Sequence, residues 1–347
     1  MKKQIFILAF LMLATFASIT KSYGQAVPGS APRLLLCTSD AMNPIAGRSY
    51  DYTATFNPDG GTAFWYATRS TALTAVGARV ATVEASGGSV LSSASANYAT
   101  NITPTAGATT SSINWNSAVI ASVAPATPLL VVVEYDAPAA NCANNLKVFN
   151  IVPKNAFTID ILSMLSTGAS SAAYDAKTTQ CAADILSAAY NTTNFKMDMN
   201  YGVQTLYFEI IAANFNASFV PSYQISGLAT GQTAEIFWGA TVATATTSLG
   251  AAANGATVAG TSVTTATLDT RNGVSIIVKV VVNNNNVENL AGETIRLAVD
   301  AVNAAGLADV KEADCTPNTA FADYAEQDIT LRPTITPTAP LTAIVAN

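Results

Sequence analysis

Histidine is absent from the 347 residues, which leaves four cysteines and a few acids in apolar segments as the side chains that could do chemistry. Without imidazole the sequence offers no Ser-His-Asp triad, Cys-His pair or His-ligated metal site. Two carboxyls would suffice for glycoside hydrolysis, and Glu134 and Glu209 are the best candidates because apolar residues surround them. Such a residue is more often the outward member of an alternating strand. We therefore predict a protein that is not an enzyme and needs no cofactor or metal.

The cysteines divide evenly between the two halves of the sequence: Cys37 and Cys142, then Cys181 and Cys315. An even number of cysteines in an exported protein favours disulfides. We predict the pairs Cys37–Cys142 and Cys181–Cys315, since each bond then closes one half, and four reduced thiols are the alternative. Both early cysteines begin a C-x-x-D pattern, whose aspartates, Asp40 and Asp184, we expect to cap local turns rather than to bind metal.

Four aromatic residues are candidates for contact with a surface glycan: Trp65, Tyr66, Trp115 and Trp238. A β-sandwich usually buries a tryptophan between its sheets, which favours core packing. Adjacent residues of a strand face opposite sides, so only one of Trp65 and Tyr66 points inward unless both faces of the sheet are covered. The outward member would suit a glycan or a neighbouring subunit.

The composition narrows the class of protein further. Charged residues make up 11% of the sequence and hydrophobic residues 50%, whereas an average soluble protein is roughly 25% charged. The chain has 16 basic and 22 acidic side chains, and phosphate recognition needs a basic stripe. We therefore expect no nucleic-acid partner and a polar surface built from Thr, Ser and Asn.

Residues 1–24 have the anatomy of a secretory signal peptide. Lys2 and Lys3 precede an apolar run at residues 5–17, and Gln25 is the expected new N-terminus. The run is shorter than the roughly 20 residues of a membrane span, and no later segment of the mature chain is expected to cross a membrane as a helix. Cleavage would leave 13 basic and 22 acidic side chains, a net charge of −9. These features predict a secreted protein located outside the cell or at its surface.

The mature sequence consists mostly of strand patterns. Apolar and polar residues alternate from Tyr50 to Phe56, as in a half-buried strand. Leu129 to Tyr135 is a continuous apolar run that predicts a central strand, and residues 146–152 predict a strand covered on both faces. In the second half, Arg271-Asn272-Gly273 is a tight-turn signal before another apolar strand.

Many short strands with turn signals and no long amphipathic helix predict an all-β protein. We expect two tandem immunoglobulin-like antiparallel β-sandwiches after a cleaved signal peptide, because the mature length suits about two domains. The predicted boundaries are residues 1–24 for the signal peptide, 25–153 for the first sandwich, 154–333 for the second and 334–347 for an apolar tail.

The first half resembles the immunoglobulin-like modules repeated in secreted surface proteins of Bacteroidota. The residues that carry the resemblance are Cys37, Asn43-Pro44, Gly47, Tyr50-Asp51-Tyr52, Gly60-Gly61, Trp65, Asn114-Trp115, Val131 to Tyr135, Asn141-Cys142 and Leu146-Lys147-Val148. The resemblance covers residues 30–153 and extends more loosely over 154–333. It implies a surface role rather than a substrate. Many such proteins end in a sorting domain with a lysine in its last strand, whereas here no lysine follows Lys311.

The tail at 334–347 has no charged residue, and after Pro337 and Pro340 it ends in a short β-prone stretch. The candidates for strand addition in that stretch are Leu341, Ala343, Ile344 and Val345. Three interpretations stay open: a disordered end, pairing with an edge of its own sandwich, or addition to the sheet of another subunit.

Together these patterns predict a secreted structural or adhesive protein, such as a subunit of an extracellular filament or surface layer assembled by β-strand addition. Its expected partners are further copies of itself or another surface protein. The alternative is a carbohydrate-binding adhesion module that recognises a surface glycan through exposed aromatic residues.

Overall fold

The computed structural model describes residues 30–46, 48–68, 99–102, 108–115, 128–138, 144–165, 167–171, 173–174, 176–215, 217–265 and 270–335. Every regular element in these ranges is a β-strand, so the predicted all-β class is confirmed. Neighbouring strands are antiparallel except for one short parallel pair. The strands before and after residue 155 share no sheet within the described part of the chain.

The first group contains six described strands: β1 (Ser49–Thr55), β2 (Thr62–Thr68), β3 (Ala99–Ile102), β4 (Ala108–Asn114), β5 (Leu129–Asp136) and β6 (Asn144–Ile151). One sheet has the order β3-β2-β5-β6, and β1 pairs with β4. Side chains from both sheets form one core, with Trp65 and Trp115 fully buried in it. The core therefore lies between the β1–β4 pair and the larger sheet.

The strand patterns of this group mostly follow the sequence predictions. Tyr50 and Tyr52 of β1 are buried while Asp51 and Thr53 are exposed, which confirms the alternation. β5 lies between β2 and β6 and is buried along Leu129–Tyr135, as predicted for a central strand. The prediction that residues 146–152 are covered on both faces is wrong. β6 lies at the end of its described sheet and is largely exposed, because its second edge and outer face have no described neighbour.

The second group contains thirteen described strands: β7 (Thr158–Met164), β8 (Thr178–Gln180), β9 (Ser187–Asn191), β10 (Lys196–Asn200), β11 (Val203–Ala213), β12 (Ser218–Ser226), β13 (Thr233–Gly239), β14 (Thr247–Ala252), β15 (Thr257–Ala259), β16 (Val263–Thr264), β17 (Val274–Asn283), β18 (Glu293–Asn303) and β19 (Asp323–Ile329). The sheet β14-β13-β17-β11-β7 packs against the sheet β15-β12-β18-β19-β8 through a continuous apolar core. β9 and β10 form a separate two-stranded ribbon.

The tight turn before β17 has the predicted chemistry. The Gly273 amide donates to the Thr270 carbonyl at 3.0 Å. Gly273 has φ +78°, and a Cβ there would lie 2.9 Å from Ile211 Cγ2. Glycine is therefore required at this turn both for its backbone conformation and for close packing on β11.

Buried amides join the two sheets of the second sandwich. Gln327 of β19 is fully buried, and its side chain donates to the carbonyls of Tyr207 at 2.5 Å and Met164 at 3.3 Å. Its oxygen accepts from Gln180 at 2.6 Å, and Gln180 in turn accepts from Gln204 at 3.0 Å. Because the bonds from Gln327 to Tyr207 and Met164 and the bond from Gln204 to Gln180 join strands of different sheets, the chain of amides fixes how the sheets are aligned.

Gln327→Leu is expected to lower the free energy of unfolding by about 1–3 kcal/mol, because it leaves buried amide partners unsatisfied. Urea denaturation measures the change. The matched control is Gln224→Leu, which removes an exposed bond to the Gly255 carbonyl and should stay within about 0.5 kcal/mol of the parent. Equal effects of the two substitutions on the free energy of unfolding would contradict the conclusion that Gln327 joins the two sheets.

Candidate functional site

A disulfide joins Cys37 to Cys315, with the two Cα atoms 5.5 Å apart, whereas Cys181 is an exposed free thiol. The predicted pairs Cys37–Cys142 and Cys181–Cys315 are therefore wrong, and so is the assignment of Cys181 to a disulfide. Cys142 lies outside the described residues. The prediction failed because it assumed that Cys37 belongs to the first half, while the chain around it lies against the second sandwich.

Residues 30–37, which we call the N-terminal strap, bind to the second sandwich at several points. The Leu36 amide donates to the Glu312 carbonyl at 2.7 Å, and the Ser30 hydroxyl donates to Glu209 at 3.2 Å. Arg33 forms an ion pair with Asp160 of β7 at 3.0 Å and stacks over the ring of Tyr174 at 4.6 Å. The disulfide secures the end of a strap that polar contacts already hold in place.

The end of the strap and the chain just after it are bonded to residues that flank the first group of strands. The Arg48 guanidinium donates to the carbonyls of Leu35 at 2.9 Å and Cys37 at 2.8 Å. The Lys154 ammonium donates to the Thr38 carbonyl at 2.6 Å. The side chain of Asp40 accepts from the amides of Met42 at 2.9 Å and Asn43 at 2.8 Å, which confirms the predicted turn cap. Asp184, the other predicted cap, is exposed and makes no such bond within the described ranges.

Two buried carboxyls, Asp160 and Asp309, and the half-buried Asp323 lie near the strap, where removal from water makes the charged form costly. Burial and then the charge of Glu312 raise the pKa of Asp160 to about 7, although Arg33 opposes the shift. Burial and then the interaction with Asp300 raise the pKa of Asp309 to about 7. Burial and then the charges of Asp160 and Glu312 do the same for Asp323.

Asn318 holds two of these acids together. Its amide nitrogen donates to Asp323 at 2.6 Å and to Asp309 at 3.2 Å. Among the described residues, no group of three or more His, Cys, Asp or Glu side chains is arranged to hold a metal ion. What this acidic cluster can do is bind and release protons near neutral pH. Sequence reasoning missed it, although Asp160 interrupts an apolar strand in the same way as Glu209 and carries the same signal.

The two candidate catalytic acids are both buried rather than outward. Glu134 accepts a hydrogen bond from the Tyr66 hydroxyl at 3.3 Å. Glu209 accepts from Ser30 and Ser170 beneath the strap. The structure does not bring them together, since they lie in different groups of strands, and neither lines the cavity of 460 Å³ formed by residues 228–234 and 251–254.

The predicted glycan contacts are not available as exposed platforms. Trp65 and Trp115 are fully buried and Tyr66 is 2% exposed. Trp238 is partly buried and packs against the core of the second sandwich. Trp65 and Tyr66 are both buried although they lie on opposite faces of β2, and Tyr66 packs beside the apolar in-sheet neighbours Leu130, Val132 and Leu146. The assignment of Trp65, Tyr66 and Trp115 to glycan contact is therefore wrong, whereas that of Trp238, which is only partly buried, stays a prediction.

Exposed apolar side chains occur instead on the β9–β10 ribbon, which sequence reasoning did not identify. Leu186, Tyr190 and Phe195 are 70%, 49% and 71% exposed. The sequence does indicate this hairpin. Leu186, Ala188 and Tyr190 occupy alternate positions just before the turn-forming run Asn191-Thr192-Thr193-Asn194.

The predicted tail lies mostly outside the described residues, which end at Ile335. Leu341, Ala343, Ile344 and Val345 are among the residues not described, as is the predicted signal peptide. Ile335 is 94% exposed. Across the described ranges, no helix has the length and apolar character needed to cross a membrane.

No family model matches the chain, and no curated protein matches it. Several solved structures show weak likeness. The N-terminal domain of PorA matches with a TM-score of 0.25 and 10% identity, over 50% of this chain and 96% of that one. The T6 backbone pilin of serotype M6 Streptococcus pyogenes matches with a TM-score of 0.21 and 10% identity, over 84% of this chain and 64% of that one.

The CupB6 tip adhesin from Pseudomonas aeruginosa matches with a TM-score of 0.25 and 7% identity, over 87% of this chain and 98% of that one. All three TM-scores are too low to support an argument. The fold class given above therefore depends on the strands and sheets of this chain alone.

Proposed function

We propose that this protein is a secreted, non-enzymatic structural or adhesive protein, a subunit of an extracellular filament or surface layer that assembles by β-strand addition. The observation that carries the proposal is the Cys37–Cys315 bond, which joins positions 278 residues apart and encloses both groups of strands. A chain closed in this way resists unravelling under load, because the closed loop cannot be fully extended. Export through residues 1–24 would place the cysteines in an oxidising compartment.

The tail supplies the second part of the proposal. Residues 336–347 contain no charge and end in the β-prone stretch around Leu341 and Ile344. Extended peptides bind exposed sheet edges through backbone hydrogen bonds, with alternate side chains setting specificity. Such a stretch is suited to pairing with another copy of the chain.

Deleting residues 334–347 from the mature chain is expected to abolish assembly, as seen by negative-stain microscopy and analytical ultracentrifugation. Leu341→Asp should have the same effect, because it places a charge in the pairing stretch. Thr338→Asp is the matched control, since it adds the same charge between the two prolines and should leave assembly intact. A parent protein that stays monomeric at all concentrations, or a deletion that still assembles, would overturn the proposal.

A further inference from the structure

The β9–β10 ribbon is amphipathic. In its register, Tyr190 lies opposite Met197 and Ala188 opposite Met199. Directly opposed residues share a face, and alternate residues of a strand return to it. One face of the ribbon is therefore apolar, with Ala188, Tyr190, Met197 and Met199. The other face carries polar groups, including Asn191, Lys196 and Asp198.

This apolar face extends beyond the two strands. The Leu186 amide donates to the Asn200 carbonyl at 2.8 Å, so the ladder continues to Leu186, which shares the face of Ala188 and Tyr190. At the tip, Phe195 is 71% exposed with φ +57°. A bulky residue in the left-handed region is uncommon and costs free energy. The ribbon thus presents large apolar side chains to solvent at its base, middle and tip.

The ribbon pairs with no third strand among the described residues. An isolated two-stranded ribbon is only marginally stable in water, and a third strand or a covering apolar surface is what stabilises it. Methionine and aromatic side chains adapt to varied partners, which suits a face that receives another segment. The geometry is that of an acceptor for one added strand.

We infer that the ribbon accepts residues Leu341–Val345 of a second copy of this chain as its third strand. This inference rests on the proposed assembly by strand addition and names the acceptor. The donated stretch is uncharged, and alternate apolar residues of it would pack beside Tyr190 on the exposed face. Backbone hydrogen bonds to an open edge of the ribbon would supply the remaining affinity.

The point where the tail leaves the sandwich argues for a second copy rather than the chain's own tail. Arg332 donates to the carbonyls of Ala183 at 2.6 Å and Tyr201 at 3.4 Å, which flank the ribbon at its base. Pro337 and Pro340 favour an extended conformation of about 3.1 Å per residue. A stretch extended in this way would span roughly 19 Å from Ile335 to Leu341, whereas a five-residue strand spans only about 17 Å. A chain's own tail, running along its own ribbon, would therefore place the apolar stretch beyond the tip.

The first test compares two tyrosines of similar exposure by analytical ultracentrifugation of the mature chain. Tyr190→Ser is expected to weaken self-association at least tenfold, since a buried aromatic contact contributes on the order of 1.4 kcal/mol or more. The control is Tyr324→Ser, because Tyr324 on β19 is 45% exposed and lies outside the ribbon. It should associate like the parent, and thermal unfolding verifies that both variants fold.

The second test locates the contact by disulfide trapping in a Cys181→Ser background. Chains with Ala188→Cys and one tag are mixed with chains carrying Ala343→Cys and another tag. A bond between the two tags is expected, and a mixture without Ala343→Cys shows what Cys142 alone can form. A further chain carries both substitutions. A bond that forms only within this doubly substituted chain, and never between the two tags, would overturn the second-copy assignment, as would the absence of any bond.

The outcomes separate this inference from the proposed function. If deletion of 334–347 abolishes assembly while Tyr190→Ser has no effect and no link to position 188 forms, the ribbon is not the acceptor but strand addition stands. If the deletion has no effect on assembly, or the parent never associates, both fail. Weaker self-association of Tyr190→Ser, together with a disulfide between the differently tagged chains, supports both the proposed function and the ribbon as acceptor.

Discussion

Cys37→Ser is expected to lower the free energy of unfolding by about 2–5 kcal/mol, the usual cost of losing a native disulfide. The bond links residues 278 apart, so its removal frees a long loop in the unfolded chain. It also removes the covalent attachment of the strap to the second sandwich and leaves only the polar contacts of the strap. A loss of this size is a large fraction of a typical stability of about 5–15 kcal/mol. Denaturant unfolding followed by tryptophan fluorescence measures the change.

Cys181→Ser is the matched control for that experiment. Its thiol is exposed and free, so the substitution should change stability by no more than about 0.5 kcal/mol. Reducing the parent protein should reproduce the loss seen in Cys37→Ser and leave that variant itself unchanged. Mapping of non-reduced peptides should recover a Cys37–Cys315 link, and a Cys37–Cys142 peptide instead would refute the assignment.

Raising the pH from about 5 to about 8 is expected to destabilise the protein through Asp160, Asp309 and Asp323. Each has a folded-state pKa of about 7, raised from an ordinary value of 3.8. Between those values the folded state binds protons that the unfolded state has released. Stability is therefore full below the ordinary pKa and falls as the pH rises through about 7, with a slope of roughly 1.4 kcal/mol per pH unit for each such group.

Asp160→Asn tests the contribution of a single group. The amide resembles the protonated acid in shape and does not ionise, so the variant should lose less stability between about pH 5 and about pH 8 than the parent. Around Asp160 the charged neighbours are Arg33, which favours its ionised form, and Glu312 and Asp309, which oppose it. The exposed turn residue Asp59 provides the control, since Asp59→Asn should keep the parent's slope. Identical slopes in all three proteins would contradict the prediction.

The local pattern of apolar and polar residues predicted the strands well wherever only one arrangement of neighbours could produce that pattern. Alternation in β1 reflects one buried and one solvated face, and the continuous apolar run of β5 reflects a strand with neighbours on both sides. The turn at Gly273 followed from chemistry that only a few residues permit. The same reasoning failed for β6, because its apolar residues could not reveal that the strand lies at the end of its described sheet.

The functional site was less predictable because its parts are distant in sequence. Glu209 accepts hydrogen bonds from Ser30 and Ser170, and the raised pKa of Asp160 comes from burial and then from the charge of Glu312. No periodic pattern or fixed spacing in the sequence predicts these contacts between distant residues. The aromatic prediction failed for a related reason, since whether Tyr66 faces solvent depends on whether a distant segment covers its side of the sheet.

The sequence by itself determined that this chain builds β-strands, where most of them run, and that it lacks imidazole chemistry. These properties follow from residue type and from the two-residue repeat of a strand, which act over a few neighbours. Only the tertiary structure decided that Cys37 bonds to Cys315, that the strap lies over buried acids, and that the ribbon leaves Tyr190 and Phe195 exposed. Those outcomes depend on which surfaces meet when distant segments pack, and the free energy of that packing is shared by many residues rather than encoded in any one of them.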